Sequence, residues 1–212
     1  MAGNKSYRLL CPIARALDQL GDRWSLLILR DLHAGPARFG DLQSALPGLA
    51  SNLLSSRLEA LQRDGLVLRA KGTYELTAAG EGTAPLLFEL AAFGSRSPVP
   101  TEVRRPGNLR TVAVSMKEGL RRVVELDTAM DVELVVDGEA FAIDIAGGQV
   151  TVRYGASAGA ALSLETDYES MIAVGDTRMS ASDFGKNHVV VARGTRKAAR
   201  GFLSLMAAAF SQ

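Results

Sequence analysis

The segment Ser51-Asn-Leu-Leu-Ser-Ser-Arg-Leu-Glu-Ala-Leu-Gln-Arg-Asp-Gly65, continued without a break by Leu66-Val-Leu-Arg-Ala-Lys-Gly-Thr-Tyr-Glu-Leu76, decides how the first half of the chain folds. On a wheel of about 100° per residue, Leu54, Leu58 and Leu61 fall within about 60° of one another and form a core-facing stripe. The opposite side carries Asn52, Ser55, Ser56, Glu59 and Arg63. Short polar side chains crowd its N-terminal turns, which suits close approach to another surface. Gly65 ends the helix, and two short strands are expected around Ala70-Lys71-Gly72, with Arg69 and Lys71 near the tip.

The residues upstream supply the scaffold for this helix. Pro12 suits a first helical position, because its missing N–H would be unpaired there anyway. Ile13, Leu17 and Leu20 follow at helical spacing, and Gly21 stops the helix. Asp22 reads as the N-cap of a second helix over 23–32, whose Trp24-Ser-Leu-Leu-Ile-Leu29 stretch is apolar nearly all round and belongs at a domain centre. Gly35-Pro36 marks a turn, Phe39, Leu42 and Leu46 a short third helix, and Pro47-Gly48 the turn before Ser51. Two short helices joined by a tight turn, the second narrow and polar outside, match a DNA-recognition arrangement, and a basic hairpin directly after it matches a wing.

Composition sets the frame for both halves. The 212 residues, 47% hydrophobic and 22% charged, can build a packed core, which argues against a disordered chain. Apolar residues recur at helical spacing up to about residue 94; from about 111 onward short alternating runs are split by glycine turns. Between them, residues 94–107 hold three of the seven prolines, so the expected division is 1–94, a linker over 95–108, and 109–212. Up to residue 98 there are 11 Lys and Arg against 9 Asp and Glu, and beyond it 13 against 14. That asymmetry cannot indicate nucleic-acid binding by itself, so any such reading rests on where the cations stand. One cysteine (Cys11) and two distant histidines (His33, His188) give no disulfide framework and no metal site, and no cofactor is expected. No apolar run approaches the roughly 18 residues of a membrane span, and the first residues lack a signal-peptide core, so the expectation is a soluble cytoplasmic protein.

Cys11-Pro-Ile-Ala-Arg-Ala-Leu-Asp-Gln-Leu-Gly-Asp-Arg-Trp-Ser-Leu-Leu-Ile-Leu-Arg-Asp-Leu32 closely resembles the opening of HxlR-type winged-helix transcriptional regulators. Gly35-Pro-Ala-Arg-Phe-Gly-Asp-Leu42, the leucines of 54–61 with Arg57, Asp64-Gly-Leu66 and Tyr74-Glu-Leu-Thr77 continue the likeness in order. The resemblance implies a homodimer that binds a pseudo-palindromic operator on double-stranded DNA. There are departures: Ala50 stands where the family usually has a serine cap, so the helix would start from Ser51. The wing lacks the family's Pro-Pro-x-Val segment, and Phe93-Gly94 replaces Trp-Gly near the end of the dimerisation helix.

Asn52, Ser55 and Ser56 are the base-edge candidates, since Asn can bond adenine N6 and N7 together and Ser can reach several bases or a phosphate; Ser51 at the helix start is a further DNA-contact candidate. Arg38, Arg69 and Lys71 are phosphate candidates, which set register rather than sequence. Arg57, about 60° from the core stripe, can serve either a phosphate or a salt bridge. Cys11 precedes Pro12 at a helix N-terminus, where the dipole favours a thiolate. Some relatives use a cysteine here as a redox sensor; the alternative is a small buried hydrophobe.

In the second half, Met116, Leu120, Val123 and Val124 predict a helix over most of 109–127. Strands are expected at 131–137, 139–146, 149–154, 160–164 and 188–192, with Asp137-Gly138 as a two-residue hairpin and Gly147-Gly148 as a second turn. Helical segments are expected at 168–174 and 181–184, and a closing helix at 195–210. Residues 132–145, Leu162-Ser-Leu-Glu-Thr-Asp167, the turns at Gly175, Gly185 and Gly194, and the final helix resemble sterol-carrier-protein type 2-like domains. That resemblance implies a five-stranded sheet covered by helices, often around an apolar tunnel for lipids. Met171, Ile172, Met179, Phe184, Phe202, Leu205, Met206 and Phe210 are the candidate lining residues, with ordinary core as the alternative.

The chain thus reads as α+β: a winged helix-turn-helix followed by a small α+β domain. The expected function is a dimeric DNA-binding transcriptional regulator modulated by an apolar small molecule or lipid. Alternatives are a purely structural second domain, redox sensing at Cys11, or a lipid carrier or enzyme. Catalysis finds little support: no GxSxG elbow, HExxH, phosphate loop or dinucleotide fingerprint is expected. Glu165, Asp167 and Glu169 read as helix caps and solvated charges.

Overall fold

The computed structural model describes residues 6–98 and 105–210, so the centre of the expected linker lies outside the described residues. The first half forms α1 (Pro12–Leu20), α2 (Ser25–Leu32), α3 (Phe39–Ala45) and α4 (Ser51–Arg63). A hairpin of β1 (Val67–Ala70) and β2 (Thr73–Leu76) follows, then α5 (Ala78–Glu81) and α6 (Ala84–Gly94). Lys71 and Gly72 turn the hairpin with φ of 50° and 86°, the paired left-handed conformation that a tight type I′ turn requires. Ile28, Leu29 and Leu32 of α2 meet Leu54, Leu58 and Leu61 of α4 in a fully buried core that also takes Leu42, Tyr74 and Leu87.

α2 starts two residues later than expected. Asp22 does not cap it; Oδ1 of Asp22 accepts the Trp24 N–H at 2.9 Å, holding a turn, and Trp24 takes the cap position. The side chain of Asp22 is used elsewhere, as described below.

The second half contains α7 (Ala113–Arg121), β3 (Met130–Val136), β4 (Glu139–Ala146), β5 (Gln149–Tyr154), β6 (Leu162–Thr166), α8 (Tyr168–Gly175), α9 (Ala181–Asn187), β7 (Val190–Arg193) and α10 (Arg196–Ala209). The five strands run in the order β5-β4-β3-β6-β7, with β3 and β6 parallel and the other neighbours antiparallel. Period-two burial puts Val132, Leu134, Val136, Phe141, Ile143, Ile145, Val150 and Val152 on one face, against α7 and α10. Asp137-Gly138 turns β3 into β4 with φ of 47° and 83°. The helix expected over 109–127 is shorter: a 3₁₀ turn at 110–112 leads into α7, which ends at Arg121. Val123-Val124 lies beyond its end, since two adjacent β-branched residues favour helix weakly.

The halves interlock. Arg110, 4% exposed, donates Nε to the Asp31 carbonyl at 3.1 Å and Nη2 to the carbonyls of Gly35 and of Pro36, the latter at 3.2 Å. Its guanidinium lies 5.3 Å from the Tyr154 ring centroid, and the Tyr154 N–H donates to the Ala34 carbonyl at 2.9 Å. Tyr154 Oη donates to Glu139 at 2.6 Å; burial first, then that carboxylate, pushes the phenol up to about 12. A second bridge centres on buried His33. The Thr83 hydroxyl donates to the Gly80 carbonyl and accepts from His33 Nε2 at 3.0 Å. Glu81 stands 3.6 Å from His33 Nδ1 and takes a 2.6 Å bond from Lys117 of α7.

Arg110→Ala removes the side-chain donor to the carbonyls of Asp31, Gly35 and Pro36 and is expected to lower stability by about 2–4 kcal/mol, read as a shifted urea midpoint. His33 first, then Lys117, hold the Glu81 carboxyl down to about 2 against 4.5 in the unfolded chain, so its contribution is present above pH 4.5 and lost as pH falls toward 2. Glu81 is half-exposed, so that contribution is at most about 1 kcal/mol. Urea unfolding of Glu81→Gln should depend less on pH than the parent within that window.

Candidate nucleic-acid interface

α4 presents the residues that would meet DNA. Ala50, extended at φ −68° and ψ 144°, occupies the N-cap with no side-chain bond, and Ser51 is the first helical residue. Ser51, Asn52, Ser55 and Ser56 are exposed, while Leu54, Leu58 and Leu61 hold the opposite face in the core. Asn52 Oδ1 accepts the Leu53 N–H at 2.9 Å, a donor shared with the Ala50 carbonyl at 3.0 Å.

The basic candidates are gathered by backbone pairing. Ala37 exchanges two hydrogen bonds with Tyr74, whose cross-strand partner is Arg69. Arg38 therefore stands one residue from a three-stranded row that also carries Arg69. The Arg69 guanidinium lies 5.5 Å from the Tyr74 ring centroid, and Lys71 is exposed at the hairpin tip. Arg38 is itself exposed at the head of α3, where its N–H donates to Asp41 Oδ2 at 2.8 Å.

Arg57 stands apart from these. Of its two expected roles the structure forms the ion pair: Nη2 lies 2.8 Å from Asp22 Oδ2. The pair ties α4 to the turn between α1 and α2, and so sets the angle at which α4 leaves the core. Cys11 is the half-buried N-cap of α1, with no side-chain capping bond.

The other candidates lie in the second half. Met171, Phe184, Phe202, Met206 and Phe210 line one cavity of about 70 Å³ between α8, α9 and α10. Ile172 does not line it, and Leu205 packs into the sheet core. Met179 turns instead toward a polar cleft with Asp167, Glu169, Ser170, Arg178 and His188. Leu134, Val174, Val189 and Leu203 also line the cavity; nothing in their local sequence distinguishes them from ordinary core.

Two features that suggest catalysis fail on geometry. Against the expectation of no GxSxG, Gly155-Ala-Ser157-Ala-Gly159 does spell that motif, yet it forms a loop between two strands, with Ser157 N–H on Glu133 at 3.1 Å and its hydroxyl on Asp131 at 3.3 Å. A nucleophile elbow requires a strand, a sharp turn and a helix. In the polar cleft, Ser170 Oγ and Asp167 Oδ2 both approach His188 Nδ1, at 2.8 and 3.9 Å, whereas a catalytic relay uses opposite ring nitrogens. Among the described residues no cluster of three or more His, Cys, Asp or Glu could hold a metal, and no helix is long and apolar enough to cross a membrane.

Fold and exposed polar helix together define a winged helix-turn-helix DNA-binding domain. The HxlR-like helix-turn-helix family model matches residues 19–101. The uncharacterized HTH-type transcriptional regulator sll1512 of Synechocystis sp. is 37% identical over 93 residues, covering 41% of this chain and 69% of that protein. YvaP of Bacillus subtilis, also described as an HTH-type transcriptional regulator, is 35% identical over 94 residues, covering 41% and 87%. Quinone-bound YodB from B. subtilis is 31% identical, covering 41% of this chain and all of that one, with a TM-score of 0.39. The chain belongs to the HxlR family and is a DNA-binding transcriptional regulator.

Arg57→Gln should weaken operator binding without changing the slope of log affinity against log salt, because it removes a positioning ion pair. Arg38→Ala and Lys71→Ala should each flatten that slope by about one for every half-site bound, the share of a single neutralised phosphate. Fluorescence anisotropy on duplexes selected in vitro by the protein reads both quantities.

Proposed function

We propose that the protein acts as a homodimer on a pseudo-palindromic operator, reading base edges with Ser51, Asn52, Ser55 and Ser56, and that its second domain holds an apolar small molecule that modulates this binding. The observation that carries the dimer is a pair of exposed apolar stripes at helical spacing. Ile13 and Leu17 of α1 follow exposed Leu9 and Leu10, and α6 exposes Leu86, Leu90 and Phe93, the last at 70%. Apolar surface of this extent on a soluble domain marks an interface. In a dimer the two α4 helices would address half-sites one helical turn apart or a multiple of it.

The ligand reading is supported by the cavity between α8, α9 and α10, whose lining is apolar throughout. A five-stranded sheet with helices on one face and such a cavity supports the likeness to sterol-carrier domains. A second reading, a purely structural role for this domain, is favoured by the interlock through Arg110 and Tyr154.

Ile13→Asp together with Leu90→Asp should yield a monomer in sedimentation velocity and lower operator affinity by at least about a hundredfold, while far-ultraviolet circular dichroism stays native. N-phenyl-1-naphthylamine, a neutral apolar fluorophore, should bind the parent and shift its operator affinity by about 5–150-fold. Val174→Phe, which fills the cavity, should abolish both effects. Binding without any shift would leave the structural reading standing.

A further inference from the structure

The cavity of about 70 Å³ is smaller than the roughly 150 Å³ dry cavity that accepts one benzene ring. An apolar occupant of that size or larger that is to be fully covered must therefore move a wall. The walls differ in how they can yield. Leu134 comes from β3, which is laddered to β4 on one side and β6 on the other, so that wall is fixed. α10 contributes Phe202 and Met206, with Phe210 as its C-cap, and it is held mainly by side-chain packing.

The end of α10 does not run into solvent. Phe210 meets Phe88 of α6, ring centroids 6.4 Å apart and planes tilted by 35°. Ala209 is buried in the same junction, against Gly119 of α7. A methyl group at Gly119 would stand 3.2 Å from both Ala209 Cβ and Phe88 Cε2, so three helices meet there at close packing distance. Arg122 holds Phe88 further: its guanidinium lies 4.1 Å from the ring centroid while Nη1 bonds Glu89 at 2.9 Å. The inner face of α6 thus receives the last turn of α10, and its outer face is the exposed stripe Leu86, Leu90 and Phe93.

We propose that α6 is the output element of the cavity: a neutral apolar ligand displaces α10, and the Phe210–Phe88 contact carries that displacement to the stripe used for self-association. The ligand is neutral because every lining side chain is apolar, and a charged group would enter without a partner. This inference rests on the reading that the cavity binds a small molecule. Close-packed junctions have discrete arrangements rather than continuous ones, so a small shift of α10 re-seats Phe88 instead of being absorbed.

The test uses the full chain and N-phenyl-1-naphthylamine, with amide hydrogen exchange followed helix by helix and self-association measured by sedimentation. In the parent, probe binding should change exchange in both α10 and α6, and should shift the dimer dissociation constant by at least about fivefold. Phe88→Leu, outside the cavity, should bind the probe within about twofold of the parent and keep the α10 response while losing the α6 response. Arg122→Gln, a milder change should Phe88→Leu fail to fold, should cut the α6 response by about half or more. Probe binding with exchange changes confined to α8–α10 would overturn the relay and leave the cavity reading intact. An α6 response that persists in Val174→Phe would show the probe acting on the exposed stripe directly, and would also overturn it. If the parent binds no probe, the cavity reading falls and the relay with it.

Discussion

At the end of α2 the Asp31 carbonyl, and in the turn beyond it the carbonyls of Gly35 and Pro36, take a side-chain donor from the far half of the molecule, Arg110. α2 is the central helix of the winged domain, so whatever holds its C-terminal end also holds the loop into α3 and the seat of α4. The cost of burying this cation is evident: burial lowers the Arg110 pKa, against the pull of Asp31 first and then of Asp41 and Tyr154. Asp31 is the complementary case, its carboxyl raised by burial and drawn back by Arg30 and Arg110. Neither charge would be tolerated there alone.

Because of that junction the two cores are not separate compartments. Ala34, from the winged half, packs in the sheet core, and Val114 of α7 packs in the winged core. Further hydrogen bonds from Gly107 to Ser44 and from Asn108 to Asp41 anchor the returning chain on α3. These contacts leave the polar face of α4 exposed. The second half therefore braces the scaffold without covering the surface that would read DNA.

Much of this was legible from residue order because it rests on local physics. The leucine stripe of α4, the Lys71-Gly72 and Asp137-Gly138 turns and the alternation of β3 to β5 follow from spacing and backbone conformation alone. Boundaries failed where a side chain had a better distant use. Asp22 has the chemistry of a helix cap, but its second oxygen pairs with Arg57, and the helix starts later. Among the lining candidates, Ile172, Met179 and Leu205 share the apolar or flexible character of Met171 and Met206, yet helical phase turns Ile172 and Leu205 to other surroundings, and Met179 lies in the turn between α8 and α9. Arg110, His33 with Thr83, and Phe88 with Phe210 leave no local signature, because each is a meeting of segments far apart in the chain.

Electrostatics closes the account of specificity. A chain with net charge +1 gains little from the diffuse attraction that draws strongly basic proteins to any duplex. Its affinity must come from a few placed cations and from base edges. Arg38 and Arg69 are gathered beside the wing by the Ala37–Tyr74 bridge, and the uncharged first turns of α4 allow close approach to a groove. With Lys71 they make three such cations per subunit; in the proposed dimer these would neutralise about six phosphates and give a salt slope of about −5, half that of a strongly electrostatic repressor. Non-specific binding weakens with that slope, whereas base contacts do not. A nearly neutral regulator with a small set of placed charges is thereby biased toward its own sites.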